Sequence, residues 1–204
     1  MKKISILDAL NAISKNELVI APTETFYGII SRVISPKAIS RIFCIKRRDP
    51  TKPLPVVIGD ISQLDLIAYV DDFSKKLIDV FWPGSISILF PAKDSLPIGA
   101  KDRSNRIAVR FTPHPIIRHL CVMLDEPLTA SSANFSNYPP PASLDAIDAE
   151  LSSITAGVIT DLPYPSGGRP STLIEPLLDG SLRILRHGAV SCDDIARKGF
   201  KIMS

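Results

Sequence analysis

Apolar residues at Ile6, Leu7, Leu10 and Ile13 recur at helical spacing and predict an amphipathic helix across residues 4–13. Leu18-Val19-Ile20-Ala21 is an unbroken apolar run closed by Pro22, the pattern of a short buried strand. Ser35-Pro36 then reads as a helix start, with a capping hydroxyl followed by a ring whose φ already suits the first turn. Ile39, Ile42 and Phe43 supply that helix's inner stripe. Residues 54–58 predict a strand, 61–69 and 72–81 predict helices, and 86–90 and 107–111 predict strands. Thr112-Pro113 repeats the cap-then-proline signal before a helix running through Met123. Further short strands are expected at 128–130, 158–160, 172–174 and 182–185. Strands and helices interleave without strict alternation, which predicts an α/β protein with a mixed sheet rather than a regular doubly wound one.

Composition narrows the picture. A chain of 204 residues with 45% hydrophobic and 22% charged residues is that of a folded protein, and one domain over residues 1–204 is expected. Eighteen prolines against ten glycines predict stiff turns rather than flexible linkers. The net charge of +3 is too small to establish a nucleic-acid partner, although a local basic patch can outweigh the total. Cys44, Cys121 and Cys192 form no CxxC pair, and His114, His119 and His187 form no ligand pair at helical spacing, so no metal site is expected. The N-terminus carries no apolar run of signal-peptide or membrane-span length, and a reducing cytoplasm is the expected setting. The P-loop, GxGxxG, HExxH and GxSxG patterns are all missing.

Five segments carry candidate chemistry. Ala21-Pro22-Thr23-Glu24-Thr25-Phe26-Tyr27-Gly28 places hydroxyls at the carboxyl end of a strand, where open α/β sheets bind ligands; taken alone it reads first as an ordinary Thr-rich turn. Lys46-Arg47-Arg48-Asp49-Pro50-Thr51-Lys52 holds four cations in seven residues, suited to a polyphosphate, to RNA, or to plain solvation. Ser132 and Asn134, two apart in an extended chain, face the same side and can hold a ribose or phosphate oxygen, or else cap a turn. Ser166-Gly167-Gly168-Arg169-Pro170-Ser171-Thr172 offers paired glycine N–H groups to an anion, or is a turn. Arg106 and Arg110 end an apolar strand, exposed or facing a carboxylate. Each signal is weak singly; several cationic and hydroxyl-rich segments, each following an apolar strand, fit the assembly of one polar cleft.

The order and spacing of Pro22 to Gly28, Lys46-Arg47-Arg48, Phe81 to Ser87, Arg110 to Pro115, Ser131 to Ser136, Pro170-Ser171-Thr172 and Leu185 to Gly188 resemble the YrdC-like family of threonylcarbamoyl-AMP synthases. The resemblance runs from about Leu18 to Val190 and looks like the short form without a second domain. It implies a twisted mixed sheet with flanking helices and a concave basic surface of double-stranded-RNA-binding type. It also implies that Lys46, Arg48, Ser132, Asn134 and Arg186 hold ATP, that Lys46 and Arg48 serve the reaction, and that Thr23, Arg110 and Ser171 meet the amino acid. The implied substrates are ATP, L-threonine and bicarbonate, with Mg²⁺ held mainly by phosphate and no protein metal site. The product would pass to a tRNA-modifying transferase complex, with weak RNA or tRNA contact. Arg47 and Asp49 stand where many members have Gly and Pro, His187 stands within the usual Arg-Pro-Gly, and Val57 aligns with a histidine of longer members. A non-catalytic RNA-binding module, or a paralogue using another carbamoyl acceptor, are the alternative readings.

Overall fold

The computed structural model describes residues 1–203. Its strands are β1 (Lys3–Ile4), β2 (Val19–Pro22), β3 (Tyr27–Arg32), β4 (Val56–Ile58), β5 (Ile86–Pro91), β6 (Arg106–Phe111), β7 (Leu128–Ser132), β8 (Val158–Ile159), β9 (Thr172–Pro176) and β10 (Leu182–Arg186). The helices are α1 (Ile6–Ser14), α2 (Pro36–Lys46), α3 (Asp72–Phe81), α4 (Pro115–Leu124), α5 (Ala149–Ser153) and α6 (Cys192–Arg197). All ten strands join one sheet in the order β1-β8-β2-β3-β7-β4-β6-β5-β9-β10. Pairing is mixed: β4 with β6 and β5 with β9 run parallel, whereas β2–β3, β3–β7, β5–β6 and β9–β10 run antiparallel. The expected twisted mixed sheet with flanking helices is thus the fold.

Alternation along the strands decides what each face does. Ile86, Ile88 and Phe90 of β5, Ile107 and Val109 of β6, and Ile174 of β9 point to one side, into a core shared with Ile39 and Ile42 of α2 and Leu77 of α3. The opposite side is divided. Over β2, β3, β4 and β7, residues Val19, Ala21, Ile30, Val57 and Leu128 pack beneath Ala9 and Ile13 of α1 and Ile117, Leu120 and Cys121 of α4. Register pairs Val57 with Arg110 and Leu89 with Ala108, so the same face continues onto β6, β5 and β9 as Arg110, Ala108, Arg106, Ser87, Leu89 and Leu173. There these residues line a cleft instead of packing beneath a helix.

Several expectations need correction. Residues 61–69 form a 3₁₀ turn over Ile61–Leu66, with Ala68 already bridged to Ala92. Helix α4 is capped at His114, with Pro115 in its first turn, not at Thr112. The Thr112 hydroxyl accepts from the His114 N–H and donates to Glu24 instead. The strand expected from Leu54 begins at Val56, and β1, β3, α5 and α6 are additional elements.

Candidate functional site

The turn between β2 and β3 is built on Thr23. Its hydroxyl donates to the Phe26 carbonyl at 2.7 Å and accepts the N–H groups of Thr25 and Phe26, each at 3.3 Å. The side chain therefore shapes the turn first. Glu24, next along, reaches the end of β6: its carboxylate meets Arg110 Nη1 at 2.5 Å and accepts the Thr112 hydroxyl at 3.0 Å. Arg110 is 7% exposed, and its Nε–H is buried with no acceptor among the described residues. Burial disfavours its charged form and the facing carboxylate opposes that shift. The strand's other arginine, Arg106, also meets carboxylates, pairing with Glu175 and lying 3.5 Å from Asp102.

Across the cleft, Arg186 donates from Nε and Nη2 to the Ser171 carbonyl at 3.1 and 2.9 Å, and from Nη2 to the Ser171 hydroxyl at 3.0 Å. Ser171 in turn lies 3.0 Å from the hydroxyl of Ser87. Arg186 keeps much of its surface exposed at the rim. Even so, the protein around it and then the charges of Arg110 and Arg48 lower its pKa. Arg48 turns back on its own loop, donating to the Lys52 and Pro53 carbonyls at 2.9 Å each, and burial lowers its pKa too. Arg48, Arg110 and Arg186 thus approach one cavity of about 430 Å³, lined also by the carboxylate-paired Arg106 and by Thr23, Ser87, Ser132 and Ser171.

Lys46 is the last residue of α2, and Arg47 closes the helix in the left-handed region at φ 50°. The turn drives the Lys46 side chain inward, where it is 1% exposed. Its ammonium donates to the carbonyl of Ser132, to that of Asn134 at 2.6 Å, and to Asn134 Oδ1 at 3.3 Å. The Ser132 hydroxyl donates to Asn134 Oδ1 at 2.5 Å, and Arg47 lies over the Phe135 ring. Segments 86 residues apart in sequence are joined here into a second hollow of about 560 Å³, in which Arg48, Lys52 and Ser132 also line the first. Burial, with the Arg48 charge adding to it, pulls the Lys46 pKa down to about 7.

Of the eight residues singled out from the sequence, Thr23, Arg48, Arg110, Ser132, Ser171 and Arg186 line the first cavity, and Lys46 and Asn134 line the second. The 166–172 segment behaves differently from the anion cradle considered for it. The Gly167 N–H is spent on the Thr25 carbonyl at 2.8 Å, Ser166 Oγ donates to the Glu24 carbonyl at 2.7 Å, and Arg169 is exposed. Glu24 and Ser87 were not singled out. Ser87 had a signal, being a polar residue between Ile86 and Ile88 on a strand; Glu24 gave none beyond its place in the Thr-rich turn.

A mixed sheet whose uncovered half-face gathers arginines and hydroxyls into one cavity defines an α/β protein with a polar, arginine-lined cleft. The family model described as telomere recombination, Sua5/YciO/YrdC, matches residues 11–188, and the chain belongs to that family. It is 36% identical to a putative threonylcarbamoyl-AMP synthase of Methanocaldococcus jannaschii, over 91% of this chain and 86% of that protein. It is 31% identical to the threonylcarbamoyl-AMP synthase of Bacillus subtilis, over 93% of this chain and 55% of that one. The crystal structure of P. abyssi Sua5 complexed with L-threonine superposes with a TM-score of 0.88 at 29% identity, covering 97% of this chain and 58% of that one.

Proposed function

We propose that this protein is an L-threonylcarbamoyladenylate synthase, converting ATP, bicarbonate and L-threonine to threonylcarbamoyl-AMP and pyrophosphate for tRNA threonylcarbamoyladenosine modification. The observation that carries the reading is the convergence of Arg48, Arg110 and Arg186 on one cavity that shares a wall with the Lys46–Ser132–Asn134 hollow. Two adjoining anion-seeking compartments suit two anionic substrates that must react with each other. The nucleotide belongs to the hollow, with Lys46 and Arg48 toward its phosphates and Ser132 and Asn134 fixing its orientation. The amino acid belongs to the deeper cleft, where Arg110 has an unspent buried N–H for a carboxylate.

In the reaction, threonine's amine and bicarbonate give a carbamate with loss of water. The carbamate oxygen attacks the α-phosphorus of ATP, the new P–O bond forms, and pyrophosphate leaves. No side-chain nucleophile takes part; the protein orients two anions and offsets their repulsion. Among the described residues no three His, Cys, Asp or Glu side chains group as metal ligands, so Mg²⁺ would arrive on the nucleotide's phosphates. The product then passes to a tRNA-modifying transferase. Incubation of the protein with ATP, bicarbonate and each amino acid in turn tests the reading. Threonine-dependent pyrophosphate and an adenylate of the expected mass support it; ATP bound without either product overturns it.

A further inference from the structure

Ser87 of β5 and Ser171, the residue just before β9, face each other with their hydroxyl oxygens 3.0 Å apart and the residues only 3% and 6% exposed. Counting hydrogens limits what the pair can do. Arg186 Nη2 is a donor only, so Ser171 Oγ accepts that bond. One bond joins the two hydroxyls and takes up one of their two hydrogens. If Ser171 donates to Ser87, the Ser87 hydrogen has no acceptor among the described residues; if Ser87 donates, the Ser171 hydrogen has none there. In either arrangement one O–H is unspent, and both side chains line the cleft. Buried donors are normally satisfied, so an unspent one in a cavity wall calls for an acceptor on the ligand. A second unspent donor, Arg110 Nε–H, lies on the same wall. The pairing of Ile88 with Val109 places Ser87 one step along from there, toward Arg110. Neither serine lines the hollow that holds Lys46 and Asn134.

We propose that Ser87 is a substrate-contacting residue, presenting the unspent O–H of the Ser87–Ser171 pair to the carboxylate of the amino-acid substrate beside Arg110. The inference rests on the proposed amino-acid site and adds to it a residue that decides how tightly the carboxylate is held. Arg186 acts through it as a positioning residue: its bond to Ser171 Oγ holds that side chain against Ser87 and, by polarising the Ser171 O–H, favours the arrangement in which Ser171 donates and the Ser87 hydrogen is left for the ligand.

The test is calorimetric titration of the full chain, with a non-hydrolysable ATP analogue present, using threonine and 2-aminobutyrate, which keeps the carboxylate and lacks the hydroxyl. Ser87→Ala is expected to weaken both ligands by the same factor, about tenfold or more for a lost bond to a charged group. Affinity for the ATP analogue stays unchanged, and Ser87→Thr restores most of the loss. The unfolding midpoint of the ligand-free Ser87→Ala protein falls only slightly, because the substitution removes one neutral hydrogen bond and leaves one O–H unspent, that of Ser171 in place of the pair's. Unchanged threonine affinity in Ser87→Ala overturns the assignment, leaving Ser87 as packing. A loss confined to threonine overturns the carboxylate as partner. A wild-type chain that binds neither amino acid overturns this inference together with the reading beneath it.

Discussion

Three oxygens surround Lys46 Nζ, one for each hydrogen of an ammonium, while burial and Arg48 draw its pKa down to about 7. At pH 8 the free protein therefore holds this lysine mostly neutral, and a polyphosphate brought alongside favours the charged form. The sign follows: ATP binding takes up about one proton at pH 8, and affinity falls as pH rises from 7 toward 9. Calorimetry in two buffers of different ionisation enthalpy reads the proton directly, and Lys46→Met is expected to abolish both the uptake and adenylate formation. Arg48→Ala loses a charge-assisted contact worth about 1.5–3 kcal/mol and is expected to lower turnover, with the proton uptake only reduced, because the Lys46 pKa rises once the Arg48 charge is gone while its burial remains. Val57 raises a different question. It is 1% exposed, packs beneath α4, and sits in register with Arg110, so it is a core residue at the edge of the cleft. A histidine there places an imidazole in apolar packing, and Val57→His is expected to destabilise the fold by about 1–3 kcal/mol in chemical denaturation. Ratios of threonine, serine and valine affinity that shift in this variant would mark position 57 as a wall of the amino-acid pocket as well.

Between elements, the clearest dependence is at Gly188, just beyond β10. A Cβ there would lie 2.3 Å from the Pro170 carbonyl oxygen and 2.5 Å from backbone atoms of Ser171 and Thr172. The chain after Arg186 can lie against the Ser171 strand only because this side chain is missing. Gly188→Ala is expected to push the two strands apart, break the Arg186–Ser171 bonds and raise the threonine KM several-fold, with a smaller loss of ATP affinity through the released Arg186. Equal losses for both substrates would show a general unfolding of the site. The same elements show what the sequence made legible. Strong apolar runs such as 18–21 and 86–90 announced their strands, and Ser35-Pro36 announced α2, because local chemistry decides them. Strand β3 was hidden because Tyr27-Gly28 reads as the tail of a turn; its pairing to β7, about a hundred residues away, makes it a strand. Thr112 misled because a cap is chosen by tertiary partners: Glu24 claims its hydroxyl, leaving His114 to open α4. The site was legible as segments and not as a site, since Glu24 with Arg110, or Ser87 with Ser171, meet only through sheet order.

For the molecule as a whole, the modest charge of +3 and the gathering of cations around the cavities predict weak, salt-sensitive RNA binding that ATP displaces. Fluorescence polarisation with a labelled tRNA, with and without saturating ATP, checks this; tight binding indifferent to ATP would move the RNA surface elsewhere. A last consequence follows from the half-covered sheet. On β5 the even-numbered residues Ile86, Ile88 and Phe90 are bound to the core, while odd-numbered Ser87 and Leu89 line the cleft. On β6 the odd-numbered Ile107 and Val109 belong to the core and even-numbered Arg106, Ala108 and Arg110 to the cleft. Stability and recognition are thereby written on alternate letters of the same words. A lineage can rewrite the recognition letters one at a time and retune which small acid is accepted, while the letters that hold the sheet together go on being copied unchanged.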